Sequence, residues 1–496
     1  MFESAELGHA VTRAEYDKQV PKVRKALLDA QMRLVEQADF PVILLSGGVD
    51  GGGRGEVVNL LLEWMDPRYV QVRAMGAPSD EEIARPLMWR FWRALPPKGK
   101  TGVFFGSWYT EPIVDRVYGR VRGAELSRRL AEIARFERML VDEGALVVKV
   151  WLHLTKKAQR KRFEKLESSP ATAWKVTRQD WKNHERYDRF REVSERSLRE
   201  TSTAEAPWTV VEATDPHYRN LTVGRTLLDA MVARLERGRR AVPVRAAPPP
   251  PPPIDSRNVI EELDLTRSLS DAQYAKKLPL LQARLNELSR DRRFRELSVV
   301  FVFEGNDAAG KGGAIRRLTG ALDARYYDVV PIAAPTEEER AQPYLWRFWR
   351  HVPRRGHVSL FDRSWYGRVL VERVEGLTPE PDWMRAYREI VDFEDSLVRY
   401  GVVVVKLWLA ISREEQLARF RSREHVSFKR FKIGPEDWRN RKKWSAYERA
   451  VCDMVDRTST DLAPWHLVAA NDKRWARVKI LQTACDAIEK ALAAVE

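Results

Sequence analysis

The stretch from Ser298 to Gly313, SVVFVFEGNDAAGKGG, changes character twice in a short span. Ser298 to Phe303 is a β-branched and aromatic run of strand length, glycines then open a turn, and Lys311 begins a helical pattern reaching Ala324. A strand, a glycine-rich turn and a helix N-terminus together present several backbone N–H groups and the positive end of a helix dipole to one anion. Gly305, Asn306, Asp307, Ala308, Ala309, Gly310, Gly312 and Gly313 are therefore expected to cradle phosphate, with Lys311 reaching the group in transfer.

Reading outward, strands are expected at Asp328 to Ala333, Val358 to Phe361 and Val402 to Leu409. Helices are expected at Glu337 to His351 and Met384 to Tyr400. Strands alternating with helices predict an α/β fold with a mostly parallel, doubly wound sheet.

The usual phosphate loop ends in Gly-Lys-Ser or Gly-Lys-Thr, whose hydroxyl binds magnesium; here Gly312 follows the lysine and offers no side-chain ligand. Asp307 in the loop and Asp362 at the end of a strand are the candidate replacements, because magnesium takes carboxylates together with phosphate oxygens and water. Asp362 could instead cap the following turn. Arg363 and Arg368 leave the same sheet edge and suit a phosphate clamp, or else ion pairs with Glu372 or Glu375.

Further on, Arg419, Arg421, Arg423, Lys429, Arg430, Lys432, Arg439, Arg441, Lys442 and Lys443 form a cationic track. It reads as two helices joined by Ser427 to Pro435, a lid over about 411–450 that closes on phosphates. A track this dense suits a long polyanion, although a solvated basic helix face explains individual lysines equally well.

The chain repeats itself. PLMWRFWRALPPKG from Pro86 aligns with PYLWRFWRHVPRRG from Pro343, an offset of 343 − 86 = 257 that holds from the first strand to the end. The recurring Trp346-Arg347-Phe348-Trp349-Arg350 could stack on nucleic-acid bases, but its survival in both copies favours a core-facing helix. Two domains follow, 1–245 and 256–496, joined by a proline-rich linker at 246–255 that reads as a stiff spacer rather than a ligand for a peptide-binding module. In the first copy Arg54 stands for Lys311, Glu56 for Gly313, Phe105 for Asp362 and Gly106 for Arg363, so this half is expected to be catalytically silent.

The 496 residues exceed what one core usually serves, and 44% apolar residues suffice for packed domains. A net charge of +15 favours anionic partners. The acidic start without an apolar segment, the strand-sized apolar runs and two lone cysteines, Cys452 and Cys485, together predict a cytoplasmic protein without membrane association.

The loop Gly305 to Gly313, the stretch Phe361-Asp362-Arg363-Ser364-Trp365-Tyr366 and the basic lid resemble the polyphosphate kinase 2 family over essentially the whole chain. A tandem chain with a degenerate first copy is similar to that family's two-domain class. The resemblance implies two tandem P-loop kinase-like domains and transfer of the terminal phosphate of inorganic polyphosphate to AMP, giving ADP. It also implies Mg2+, with Mn2+ as a second candidate, at Asp307 and Asp362, and phosphate contacts at Lys311, Arg363 and Arg368. Polyphosphate would follow the lid residues Arg421, Arg423, Lys429, Arg430, Lys432, Arg439, Arg441 and Lys442, and the protein would be a homo-oligomer that does not bind nucleic acid. Gly367 stands where other branches carry Asn, which leaves nucleoside diphosphates open as acceptors. An ATP-dependent nucleoside monophosphate kinase and a non-enzymatic polyanion binder are the competing readings.

Overall fold

A computed structural model describes residues 1–237, 258–426 and 433–495. The proline-rich linker at 246–255 and the lid residues Lys429, Arg430 and Lys432 lie outside the described residues. The chain divides into two compact units: Met1–Pro78, Arg90–Pro243 and Thr336–Trp346 in the first, and Ser79–Trp89, Val244–Pro335 and Arg347–Glu496 in the second. Each unit thus keeps most of one repeat and takes in a short segment from the other. The two traded segments occupy equivalent positions at the offset of 257, and each opens with a capping box, Ser79 with Glu82 and Thr336 with Glu339.

The first unit contains β1 (Val42–Gly48), β2 (Val70–Ala74), β3 (Thr101–Phe105), β4 (Leu146–His153) and β5 (Trp208–Glu212), in spatial order β2-β3-β1-β4-β5. The second contains β6 (Ser298–Gly305), β7 (Tyr327–Pro331), β8 (Val358–Asp362), β9 (Val402–Ala410) and β10 (Trp465–Ala469), in the equivalent order β7-β8-β6-β9-β10. Every pairing is parallel. Phe301 and Phe303 of β6 are fully buried, as parallel central strands require. In each sheet the central strand has its successors on both sides, so the chain direction switches beside its carboxyl end, where such sheets bind ligands.

Three helices differ from the sequence reading, one of them only in its bounds: the helix expected from Met384 to Tyr400 runs Glu380–Arg399. The helix at Lys311 stops at Thr319 instead of Ala324: Gly320 follows, and Gln282 and Asn286 donate to the carbonyls of Arg317 and Ala321 at 2.9 and 2.8 Å. The segment expected as one helix from Glu337 to His351 is two short ones, Glu337–Arg340 and Trp346–Trp349. Pro343 between them lacks an N–H and disfavours a helical residue before it. Trp346, Phe348 and Trp349 are buried, in keeping with a packing role for the repeated aromatic motif.

Candidate active site

The phosphate loop leaves β6 through Gly305 (φ 147°), passes Ala308 (φ 64°) and enters the helix through Gly310 (φ 111°). A Cβ at Gly305 would lie 2.5 Å from the Leu409 carbonyl oxygen, so close strand packing and the backbone angle both demand glycine. The loop is pinned from outside. The Asn306 carboxamide oxygen accepts from the Ile411 N–H at 3.1 Å, and Gln416 donates to the Asp307 carbonyl at 3.2 Å. Arg419 is 5% exposed; it donates to the carbonyls of Ala308, Ala309, Ala470 and Asn471 at 2.7–3.0 Å. This lid-helix cation therefore shapes the loop.

Two cavities meet at Asp307, Lys311 and Arg363. The narrower is walled by Leu370, Val371, Trp408, Trp444 and Tyr447, and Glu304 lines it too. The larger, ≈ 700 Å³, runs along the loop backbone and is lined by Arg316, Arg419, Arg423, Lys473 and Arg477. Lys311 Nζ donates to the Gly305 carbonyl at 2.7 Å, folded over the loop it serves. Arg363 holds a left-handed backbone (φ 65°) and donates to Asp307 Oδ1 at 3.3 Å, while Asn440 donates to Asp307 Oδ2 at 2.9 Å. Ser364 donates to Glu304 at 2.8 Å. Burial raises the Glu304 carboxyl above its ordinary pKa, against the opposing pull of Lys311, the Ser364 hydroxyl and Arg363.

Asp362 ends β8, paired in register with Phe303, and lines the larger cavity together with Asp307. Asp437 lines the same cavity, and carboxylates beside a phosphate cradle are donors that fit a hard divalent cation completed by phosphate oxygens and water. Among the described residues no group of three or more His, Cys, Asp or Glu is arranged to hold a metal.

The other sequence candidates divide. Arg423 lines the larger cavity. Arg368 lies against Glu372 at 3.3 Å and Arg439 against Glu375 at 3.0 Å, and neither lines the two cavities. Arg441 donates to the Arg413 carbonyl, and Arg421 and Lys442 also lie off both cavities. Sequence reading overlooked Glu304, Arg316, Lys473 and Arg477. The repeat carried a signal for all four: at the offset of 257 the first copy has Gly47, Asn59, Pro216 and Asn220.

In the first unit the cradle is filled from within. Glu56 accepts from Arg162 at 2.5 Å and pairs with Arg219 at 2.9 Å. Arg219 is 2% exposed and approaches the loop so closely that a Cβ on Gly53 would lie 1.9 Å from its guanidinium. Burial raises the pKa of Glu56, but Arg219 and Arg162 outweigh it and the net shift is downward. Arg54, in place of Lys311, donates to Asp50 at 3.1 Å and lies 5.4 Å over the ring of Phe105, which stands for Asp362.

Comparison with known proteins bears on both halves. The family model described as polyphosphate kinase 2 matches residues 10–238 and again 268–495. A polyphosphate:AMP phosphotransferase from Pseudomonas aeruginosa is 57% identical over 491 residues, 99% of each chain. One of that name from Acinetobacter johnsonii is 35% identical over 92% of this chain and 93% of its own. A crystal structure described as a polyphosphate kinase 2 from Pseudomonas aeruginosa superposes with a TM-score of 0.90 at 54% identity, covering 100% of both chains. With the family model met twice and full-length relatives matched end to end, the chain belongs to the polyphosphate kinase 2 family.

Proposed function

We propose that the second unit transfers the terminal phosphate of inorganic polyphosphate to AMP, giving ADP, and that the first unit takes no part in the chemistry. The observation that carries this reading is the junction of two unlike cavities at Lys311 and Arg363. The aromatic and aliphatic walls of the narrower one suit a nucleoside, which stacks and sheds water there. The larger one has cations along its length and suits a chain of phosphates rather than one compact triphosphate. The full-length relatives named polyphosphate:AMP phosphotransferases support the same acceptor and donor.

The geometry requires little bond-making by the protein. An acceptor phosphate entering from the narrower cavity meets the donor's terminal phosphate at the shared wall, where an oxygen can approach in line. Loop N–H groups and Lys311 hold the passing phosphoryl group, and Arg363 spreads charge over its equatorial oxygens. Asp307 and Asp362 would hold a divalent cation, Mg2+ or Mn2+, which supplies further charge neutralisation when bound. Asn440 and Arg363 keep Asp307 turned toward the site. The free thiols of Cys452 and Cys485 fit a reducing, cytoplasmic setting, and among the described residues no helix is long and apolar enough to cross a membrane.

Donor choice tests the proposal. The protein supplied with AMP and Mg2+ should form ADP with polyphosphate and not with ATP; ADP formed from ATP alone would overturn it in favour of a nucleoside monophosphate kinase. Salt-sensitive polyphosphate binding without turnover would identify a polyanion binder instead.

A further inference from the structure

Glu304 is 6% exposed and lines only the narrower of the two cavities. Burying a carboxylate carries a substantial desolvation penalty unless cations and hydrogen-bond donors surround it. Here Lys311 and Arg363 share the cavity wall, and the Ser364 hydroxyl donates at 2.8 Å.

The first unit serves as an internal control. It has Gly47 at this position, yet it retains the adjoining turn: Gly106 has φ 79° where Arg363 has φ 65°. The serine persists as Ser107, and its Oγ accepts from the Tyr109 N–H at 3.4 Å much as Ser364 accepts from Tyr366 at 3.2 Å. Beneath the turn the packing is also the same. Trp108 and Tyr109 both donate to Glu137 at 2.9 and 2.7 Å, as Trp365 and Tyr366 donate to Glu394 at 3.0 and 2.7 Å. The fold therefore forms this turn without an acid at the strand end. What the first unit lacks along with that acid is Lys311, Asp362 and Arg363.

Arg363 makes the requirement concrete. Its left-handed backbone disfavours any residue with a Cβ, and the first unit relieves that strain with glycine. The second unit keeps an arginine there, and that arginine lines both cavities. We propose that Glu304 is a positioning residue of the active site: from the acceptor side it ties the Arg363-Ser364 turn to the end of β6, so that Arg363 and Lys311 face the acceptor phosphate together. The inference rests on the proposed transfer from polyphosphate to AMP.

Its test uses the full chain, after the unmodified protein has been shown to form ADP from AMP and polyphosphate; failure at that stage counts against the reaction, not against Glu304. Glu304→Gln keeps an oxygen for Ser364 and loses the charge, whereas Glu304→Gly installs what the first unit already tolerates. Both variants should keep the thermal midpoint of the parent. Both should lose about tenfold or more in kcat, with a raised KM for AMP. Glu304→Asp should recover part of kcat. Parental kcat and KM for AMP in folded Gln and Gly variants would overturn the proposal, and so would a loss of activity that simply tracks a lowered thermal midpoint.

Discussion

Lys311 donates to the Gly305 carbonyl, and binding a phosphate would exchange this neutral acceptor for an anionic oxygen. That exchange would strengthen as charge builds on a transferring group, which is the role proposed for the lysine. Lys311→Ala should lower kcat by about 10²–10³-fold with the fold intact, as read by steady-state ADP formation beside circular dichroism. Glu56 behaves differently. Its pKa is depressed in the folded state, so its contribution to stability is present above the ordinary carboxylate value of 4.5 and is lost as pH falls through the lower folded value. Chemical denaturation from about pH 6 down to about pH 3 should therefore show a smaller acid-induced loss in Glu56→Gln than in the parent, with the two curves converging at the acid end.

At the scale of elements, the site is a loop, a strand end and one lid helix clamped together by Arg419. Four carbonyls converge on this guanidinium, two of the bonds buried and two partly buried, so losing it would leave buried acceptors without their donor. Arg419→Met should destabilise the second unit by about 3–5 kcal/mol in denaturant titrations and slow turnover through a loosened loop. The same element shows what sequence could convey. The loop and Lys311 were legible as an anion cradle because a strand, a turn and a helix start lie together in the chain, and Asp362 was legible as a neighbour of that cradle because it ends a strand. Arg419 was legible as a cation but not as a structural one, since its partners at Ala470 and Asn471 are distant in sequence. Arg316, Lys473 and Arg477 were missed for a related reason: they reach the larger cavity from two separate helices, and none of the three is itself part of a motif. Pro343 was legible as a helix breaker and was overridden by the aromatic periodicity around it.

At the scale of the whole molecule, duplication separates what folding needs from what chemistry needs. Lys149 with Glu137 and Lys406 with Glu394 are ion pairs at 2.7 Å, almost wholly buried, and they recur with the same tryptophan, tyrosine and threonine neighbours. Removing either partner of such a pair strands the other charge, so the pair persists in a copy that has lost Lys311, Asp362 and Arg363. The two sheets share one strand order, and the sequence repeat requires it. The traded segments Ser79–Trp89 and Thr336–Trp346 had no such signal, because a segment packs against either copy of a duplicated surface with the same residues.

The arginines around Glu56 carry one further consequence. A half whose anion site is filled by its own side chain has no vacancy for a cell's phosphate stores to fill, and its backbone should breathe at one rate in plenty and in famine. Hydrogen exchange with and without polyphosphate should show this directly: amides from Asn306 to Lys311 slow down on addition, and those from Val49 to Arg54 keep their pace. Slowing at both loops would mean that the ion pair in the first unit gives way to an incoming anion.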